Sequence, residues 1–313
     1  MGVTPLGPLL GAEVLGIRLD VLSQADFTSL RAALAEYEVL VLRDQAIETQ
    51  AHIDFGRRFG ELTVSPFSPN ADDRPELIVL DNHADGPAPL TDIWHSDETF
   101  RDAPPLTTIL RARIVPQYGG NTMFASMTAA YEGLSERMQA YLAGMTALHG
   151  FGRFGELLRE DPARRHLLHQ VENELPMPHH PVVRVHPETG RKALFVNRHF
   201  TLSLDGVDAD ESAAILGYLF TRPLVPEYQL RVSWEPDTVV LWDNRSVQHY
   251  APNDYLPQRR RMERVTVRGE CPVGDDARAE FSDARRGVVP RRDGTSMGTT
   301  AELAQSKRAF DRG

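Results

Sequence analysis

Four of the 11 histidines in this sequence are followed two residues later by an acidic side chain, so each pair could offer two ligands to one metal ion. Such a site must be built from histidine and carboxylate, because the chain has a single cysteine. With 44 acids in 313 residues, chance alone supplies about one or two such pairs, so sequence context has to choose among them. The pairs are His52/Asp54, His83/Asp85, His95/Asp97 and His186/Glu188.

The pair in the segment WHSDETF, Trp94 to Phe100, fits a metal site best. Aromatic residues bracket polar ones there, and the segment reads as extended chain. Residues two apart share a face of an extended chain, so His95 and Asp97 can converge on one ion. The alternative is a half-buried strand in which these two side chains hydrogen-bond to each other.

The other three pairs fit ordinary structural roles. His52 lies in a helical pattern, where residues two apart point in different directions, so we expect it at the surface. Glu188 follows a proline in a predicted hairpin turn, which indicates turn chemistry for His186. His83 lies in a polar loop, and its geometry leaves a metal role open.

A third ligand would come from another strand, and His249 stands just beyond an apolar run that predicts one. The alternative is a histidine that caps the start of a loop. The following segment, QRRRMERVTVR, predicts a strand with Arg260 and Arg264 on one face. A basic strand is often a solvated sheet edge. Two arginines on one face can also hold carboxylates through their planar guanidinium groups.

Short strands with turn signals dominate the chain from Trp94 onward, and a few helical patterns interrupt them. This texture predicts a mainly β protein with flanking helices, a sandwich or a barrel. No glycine-rich phosphate loop follows a strand, which excludes a nucleotide-binding fold of that type. We expect one domain over residues 1–273. A tail rich in Asp, Arg and Gly follows over residues 274–313, mobile or docked on a partner subunit.

The composition disfavours several function classes. The formal net charge is −10, so a nucleic-acid partner is not expected. No stretch approaches 18 apolar residues, and the first residues lack the features of a signal peptide. One cysteine excludes an intramolecular disulfide framework. We therefore expect a cytoplasmic protein without a membrane partner.

Four motifs of this sequence resemble the taurine dioxygenase-like (TauD/TfdA) family of Fe(II)- and 2-oxoglutarate-dependent dioxygenases. In chain order they are WHSDETF, YGGNTMFASM, VVRVHPETGRKALFVN and LWDNRSVQHYAPNDYLPQRRRMERVTVRG. The resemblance is collinear from about residue 5 to residue 272. It implies a double-stranded β-helix, or jelly-roll, core. It also implies Fe(II), the cosubstrates 2-oxoglutarate and O2, and hydroxylation of a small acidic organic substrate with release of succinate and CO2.

By position in these motifs, the resemblance implies that His95, Asp97 and His249 are the catalytic metal ligands, two histidines and one carboxylate. Halogenating relatives replace the carboxylate to make room for halide. Because Asp97 is retained, halogenation is not expected here.

The resemblance also implies how the two organic ligands are held. Arg260 falls where the family clamps the far carboxylate of 2-oxoglutarate, and Thr122 falls where a hydroxyl helps to hold the same group. Arg264 falls where relatives contact an acidic group of the substrate, sometimes shared with the cosubstrate. The alternative for Arg264 is structural support of the site.

The substrate is less well defined. Family members act on sulfonates, sulfate esters, aryloxyalkanoates and amino-acid-like acids, and the hydroxylated carbon can collapse to a carbonyl and a leaving group. Asn70 stands where taurine-specific members carry a histidine, which argues against taurine itself. We predict Asn70, Phe67 and Asn197 as residues of the substrate pocket.

Two further expectations follow from the resemblance. Relatives form dimers or tetramers, so we predict a homo-oligomer. The alternative function is a non-catalytic jelly-roll protein that binds a metal or another ligand. It is disfavoured because such a protein has no need of both the metal ligands and the cosubstrate arginine.

Overall fold

The computed structural model describes residues 1–66, 70–71, 73–84, 91–160 and 165–275. Within them the strands are β1 (Gly2–Pro5), β2 (Ala12–Leu15), β3 (Val39–Leu42), β4 (Asn70–Ala71), β5 (Arg74–Asn82), β6 (Thr107–Ile114), β7 (Thr122–Ser126), β8 (Thr146–His149), β9 (His179–Pro181), β10 (Val183–Val185), β11 (Lys192–Leu194), β12 (Thr201–Leu204), β13 (Gln229–Val232), β14 (Val239–Asp243), β15 (Val247–Tyr250) and β16 (Arg260–Val267). The α-helices there are α1 (Gln24–Tyr37), α2 (Thr49–Arg57), α3 (Met127–Glu132), α4 (Glu136–Leu142), α5 (Gly152–Glu160), α6 (Arg165–Glu174) and α7 (Ala209–Leu219).

Two of the sheets share an apolar cluster. The large sheet has the order β1-β2-β3-β14-β6-β16-β5-β4 and is antiparallel except for the β2–β3 pair. The small sheet has the order β13-β7-β15. Phe124 and Val247 of the small sheet pack in one cluster with Val240 and Trp242 of the large sheet. This is a jelly-roll core with flanking helices, which confirms the predicted fold class.

Strand β14 shows why an uninterrupted apolar run lies in the middle of the large sheet. Its residues are all buried. Val239 and Leu241 face a cluster that includes residues of helices α1 and α2, whereas Val240 and Trp242 face the small sheet. Because successive side chains of a strand point to opposite faces, a strand covered on both faces needs an apolar residue at nearly every position.

Helix α2 overturns one prediction. His52 is fully buried, not at the surface as expected from its helical context. Its Nε2 lies 3.3 Å from the carbonyl oxygen of Ile109 in β6, and burial lowers its pKa to about 3. Gly56, one turn later, lets the helix approach the sheet closely, since a Cβ there would lie 2.9 Å from Val265. The helix therefore presses His52 against the sheet.

The other histidine pairs have ordinary places in the fold. The Nδ1 atom of His186 accepts hydrogen bonds from the backbone of Glu188 and Thr189, as predicted for a turn. Its Nε2 lies 3.0 Å from Asp243 Oδ2, so the turn is tied to the end of β14. Asp85, the partner of His83 in the sequence pattern, lies outside the described residues.

Only the first residues of the predicted tail are described. Gly274 forms a β-bridge with Arg184, and Lys192 Nζ donates to Asp275 Oδ2 at 2.6 Å. The rest of the tail lies outside the described residues. In the part of the chain that the structure describes, no helix is both long and apolar enough to cross a membrane.

Candidate metal centre

Two histidines face each other at the edge of the small sheet. The backbones of His95 and His249 exchange two hydrogen bonds, with N···O distances of 3.1 and 2.8 Å. Side chains of directly opposed residues project to the same side of a sheet. Their ring centroids accordingly lie 4.2 Å apart. His249 thus belongs to strand β15 rather than to the start of a loop.

Asp97 reaches the same point two residues after His95, where a turn begins. Residues 97–100 form a turn, and Glu98 has a φ of 46°. Asp97 Oδ1 lies 3.8 Å from Nε2 of His95 and 3.8 Å from Nε2 of His249. His95 and Asp97 therefore meet as their spacing suggests, whereas residues 97–100 form a turn where extended chain was expected. The distances are too long for a hydrogen bond, which argues against the alternative of a simple His–Asp pair.

The ligand atoms of His95, Asp97 and His249 lie within 4.8 Å of one another, and all three residues are buried. Two imidazole nitrogens and one carboxylate oxygen on one side of a shared point form the donor set of non-haem Fe(II) oxygenases. In the part of the chain that the structure describes, this is the one group of three or more histidine, cysteine or acidic side chains that could hold a metal ion. The donor set therefore fits Fe(II).

Neighbouring polar groups orient the metal ligands. His95 Nδ1–H donates to the carbonyl of Ile93 at 2.6 Å, which directs Nε2 toward the other ligands. Thr108 Oγ1 donates to Asp97 Oδ2 at 2.6 Å and leaves Oδ1 for the metal. Asn244 accepts from the Asp97 backbone N–H at 2.6 Å and donates to its carbonyl at 3.0 Å. Sequence reasoning missed Thr108 and Asn244; the signal for Asn244 is a polar residue just after a fully buried strand.

The protonation states suit metal binding at neutral pH. Burial lowers the pKa of His95 to about 3 and that of His249 to about 4, so both rings are neutral. Burial disfavours the charge of Asp97, but the charge of the Arg264 guanidinium and the hydrogen bond from Thr108 favour it, and the pKa of Asp97 lies well below its usual range. Neutral imidazoles and an ionised carboxylate bind a metal without first losing protons.

Arg260 is a buried cation that lacks an anionic partner among the described residues. It is 4% exposed, and its Nε donates to the carbonyl of Gly120 at 3.0 Å. Its Nη2 has no hydrogen-bond partner. The rings of Trp234 and Tyr255 flank it, each with its centroid 5.9 Å from the guanidinium carbon. Burial lowers its pKa to about 10, so it stays charged at neutral pH. Such a group fits the far carboxylate of 2-oxoglutarate.

Thr122 has a hydroxyl proton available for a ligand. It is buried at the start of β7, and its Oγ1 accepts a hydrogen bond from Trp234 Nε1 at 3.0 Å. Since a hydroxyl donates as well as accepts, its own proton can go to a carboxylate oxygen. Trp234 contacts both Thr122 and Arg260, a role that sequence reasoning missed.

Arg264 links the strand that carries Arg260 to the metal ligands. The two arginines lie four residues apart on β16 and share a face, as predicted. Arg264 Nη1 lies 3.2 Å from Asp97 Oδ1, and its Nε donates to Thr266 Oγ1 at 3.1 Å. Its side chain is 14% exposed, the most accessible of these charged groups.

Asn197 positions the segment that follows it. Its Oδ1 accepts from the backbone N–H groups of His199 and Phe200 at 3.1 and 2.9 Å. Its Nδ2 donates to Thr99 Oγ1 at 3.0 Å. The ring of His199 lies 5.3 Å from that of His95, and the Phe200 ring lies 6.2 Å from it. Asn197 thus holds two wall residues of the site, and its own contact with substrate stays a prediction.

The side chains of two other predicted pocket residues lie outside the described part of the structure. Phe67 lies outside the described residues. The backbone of Asn70 forms part of β4, but its side chain is outside the described part of the structure. Their assignment to the substrate pocket stays a prediction.

The comparison with known proteins places this geometry in a family. Residues 2–266 match the model of the taurine catabolism dioxygenase TauD, TfdA family. The chain is 35% identical to an alkylsulfatase of Acinetobacter baylyi, over 85% of this chain and 84% of that protein. It is 34% identical to an alpha-ketoglutarate-dependent sulfate ester dioxygenase of Pseudomonas putida, over 88% of this chain and 92% of that protein. A crystal structure of a taurine dioxygenase from Burkholderia xenovorans superposes with a TM-score of 0.75 at 34% identity, over 88% of this chain and 93% of that one.

The chain belongs to the TauD/TfdA family. It is an oxidoreductase of the dioxygenase class that depends on Fe(II), 2-oxoglutarate and O2. The predicted family, reaction class and cofactors are thereby confirmed.

Proposed function

We propose that this chain oxidises a small organic acid, with a sulfate ester or sulfonate as the favoured substrate class. In this proposal His95, Asp97 and His249 hold Fe(II). Bound Fe(II) and 2-oxoglutarate together activate O2, so that one oxygen atom enters the substrate and the other enters succinate as CO2 leaves. The observation that carries the proposal is the convergence of three ligand atoms within 4.8 Å, with Arg264 3.2 Å from one of them and Arg260 on the same face of β16.

Arg260 and Thr122 would bind the far carboxylate of 2-oxoglutarate. The buried guanidinium lacks an anionic partner in the described residues, and the threonine hydroxyl still has a proton to donate. A charged donor and a neutral one would fix this end of the cosubstrate. Its 2-oxoacid end would then be directed toward the metal ligands, away from bulk water.

Arg264 would bind the anionic group of the substrate. Its Nη1 atom lies 3.2 Å from Asp97 Oδ1. A sulfo group offers several acceptor oxygens to its planar donors. Two of the most similar relatives are an alkylsulfatase and a sulfate ester dioxygenase, which favours a sulfate ester over an aryloxyalkanoate or an amino-acid-like acid.

With an alkyl sulfate the reaction balances as follows. The C–H bond on the carbon that bears the ester oxygen breaks, and a C–OH bond forms there. 2-Oxoglutarate is oxidised to succinate and CO2. The hydroxylated carbon then expels sulfate, and an aldehyde remains. Each turnover therefore yields one succinate, one CO2, one aldehyde and one sulfate.

The test is aerobic turnover of a substrate panel with Fe(II) and 2-oxoglutarate: an alkyl sulfate, an alkylsulfonate, an aryloxypropionate, an amino acid and a neutral ester. We expect sulfate and succinate in equal amounts with the alkyl sulfate. Arg264→Ala should lose activity on acids more than on the neutral ester, and equal losses would make Arg264 structural support. If no compound raised succinate formation in folded, metal-loaded protein, the non-catalytic binding protein would be the better interpretation.

Three further predictions belong to this proposal. We propose a cytoplasmic location, since the chain has one cysteine and so lacks the intramolecular disulfide framework common in small secreted proteins. We propose a homo-oligomer, a dimer or a tetramer, on the strength of the family resemblance. We also propose that residues 1–273 are the catalytic domain and that residues 274–313 are a mobile or docked tail.

A further inference from the structure

A buried acid beside the metal ligands has no role in the proposed function. Glu98 directly follows Asp97, and its side chain is 7% exposed. Its Oε2 accepts from Arg101 Nε at 2.5 Å, and its Oε1 lies 4.0 Å from Arg264 Nη2. The Glu98 carboxylate therefore stands between two arginines, one of which approaches the metal site.

Arg264 is shared between two acids. Its Nη1 lies 3.2 Å from Asp97 Oδ1, the same oxygen that lies 3.8 Å from Nε2 of each metal-binding histidine. Arg264 and a metal ion thus compete for one carboxylate oxygen. Because the site is poorly solvated, an arginine held fully on that oxygen would oppose metal binding strongly.

We propose that Glu98 is a positioning residue that draws Arg264 away from Asp97. Asp97 Oδ1 is then available to the metal, and the guanidinium is available to the anionic substrate. Glu98 thereby raises the affinity of the site for its metal ion. The inference rests on the metal site of the proposed function and concerns side chains that the structure describes.

Arg101 limits this attraction. It occupies one oxygen of Glu98 and is itself held by the carbonyl of Val64 at 3.0 Å. Glu98 therefore offers Arg264 only its other oxygen, at a distance of 4.0 Å. This partial pairing leaves Arg264 able to move to a substrate anion. Loss of Arg101 should strengthen the attraction of the Glu98 carboxylate for Arg264, whereas loss of the Glu98 charge should remove that attraction.

The test measures Mn(II) affinity of the full chain without turnover, from the free Mn(II) signal in electron paramagnetic resonance. Glu98→Gln keeps the shape of the side chain and removes its charge. We expect about tenfold weaker Mn(II) binding, in the range for residues that act through a metal ligand. Arg101→Gln should act in the opposite direction and tighten binding about threefold, as for a partly exposed ion pair.

The second half of the test repeats both substitutions in an Arg264→Gln background. If Glu98 acts through Arg264, the effect of Glu98→Gln should shrink to about twofold or less. A residual effect of about fivefold or more would show that the Glu98 charge acts directly on the metal and would overturn the proposal. Unchanged Mn(II) affinity in folded Glu98→Gln protein would also overturn it.

Two controls keep the outcome unambiguous. Glu263 is a buried acid on the same strand that pairs with Arg111 and Arg113, each at 3.6 Å, so Glu263→Gln should leave Mn(II) affinity unchanged. If Glu98→Gln does not fold, Arg101→Gln carries the test, and failure to tighten binding overturns the proposal. Unaltered Mn(II) binding by His95→Ala would instead refute the metal site itself, whatever Glu98 does.

Discussion

Two arginines of this fold are almost equally buried but differ in their hydrogen-bond partners. Arg245 and Arg260 are 3% and 4% exposed. Arg245 donates to Asp243 through Nε and Nη2, at 2.8 and 2.6 Å, and to Glu188 through Nη1 at 2.9 Å. Within the described residues, Arg260 donates to one backbone carbonyl, that of Gly120, and its Nη2 has no partner.

The pKa values of the two side chains follow these surroundings. Burial opposes the charge of both. At Arg245 the carboxylates of Asp243 and Glu188 outweigh burial and raise its pKa above the ordinary value. At Arg260 burial dominates, and it lowers the pKa to about 10. The charge of Arg245 is stabilised by its ion pairs with the two carboxylates. The charge of Arg260 is disfavoured by burial and therefore lowers the stability of the folded protein.

The difference separates folding from ligand binding. A buried charge without a partner destabilises a protein, whereas a fully paired one ties its neighbours together. Arg245 connects the end of β14 to the turn that carries Glu188. Arg260 joins β16 to Gly120 through a hydrogen bond to a neutral carbonyl, and we propose that a ligand carboxylate pairs with its charge. Three substitutions test this contrast, and a pH titration of stability tests the burial of His95.

The largest expected effect is on stability at the paired arginine. Arg245→Met leaves Asp243 buried without its cation, so the free energy of unfolding should fall by about 3–5 kcal/mol. Urea denaturation measures the loss. The affinity of the folded variant for 2-oxoglutarate should be unchanged. A loss below about 1 kcal/mol would mean that the pairing does not stabilise the fold.

Arg260→Met should show the reverse pattern. Removal of a buried cation that the cosubstrate needs should weaken 2-oxoglutarate binding by roughly 2–4 kcal/mol. The free energy of unfolding should stay the same or rise, because an unpaired buried charge is gone. Equilibrium binding of 2-oxoglutarate to the metal-loaded protein is the measurement. Unchanged affinity would show that the clamp is assigned to the wrong side chain.

Acid should destabilise the metal-free fold through its buried histidines. The unfolded chain protonates His95 near its ordinary pKa, whereas burial keeps the folded-state pKa at about 3. The unfolded state therefore binds more protons between about pH 6.5 and 3, and stability is lost as pH falls, by up to about 1.4 kcal/mol per pH unit for each such histidine. His95→Asn should show a shallower decline in urea denaturation between pH 6.5 and 4.5. An equal slope in both proteins would refute the assigned burial effect.

The smallest expected effect is at Thr122, the neutral donor that we propose beside Arg260 for the far carboxylate of 2-oxoglutarate. Thr122→Val removes the hydroxyl, keeps the shape, and should weaken 2-oxoglutarate binding by about 1 kcal/mol. It also leaves Trp234 Nε1 without its acceptor. The matched control is Thr146→Val, where a threonine bonds to Asp205 away from the metal ligands. Equal effects of the two substitutions on cosubstrate affinity would remove Thr122 from the clamp.

Much of the fold could be predicted because its signals are local. The apolar run of β14 and the spacing of Arg260 and Arg264 on β16 depend only on the period of a strand. The pairing of His95 with His249 is different, because 153 intervening residues separate them. No local pattern predicts that contact, and the family motifs supplied it.

The remaining features depend on tertiary contacts that a sequence pattern does not contain. Residues 97–100 form a turn, with positive φ at Glu98, where extended chain was expected. His52 is buried because Gly56 allows α2 to approach β16 closely. The unpaired state of Arg260 can be recognised only when its whole environment is known.

Binding of Fe(II) by His95, Asp97 and His249, where the ion can chelate 2-oxoglutarate, underlies the proposed function. Its most direct test is anaerobic addition of Fe(II) and 2-oxoglutarate to the purified chain and to Asp97→Ala, followed by visible absorption. The weak charge-transfer band of the chelate should form in the parent protein and shift when an alkyl sulfate is added. It should be absent in folded Asp97→Ala. An equal band in both proteins, or none in the folded parent, would contradict the account.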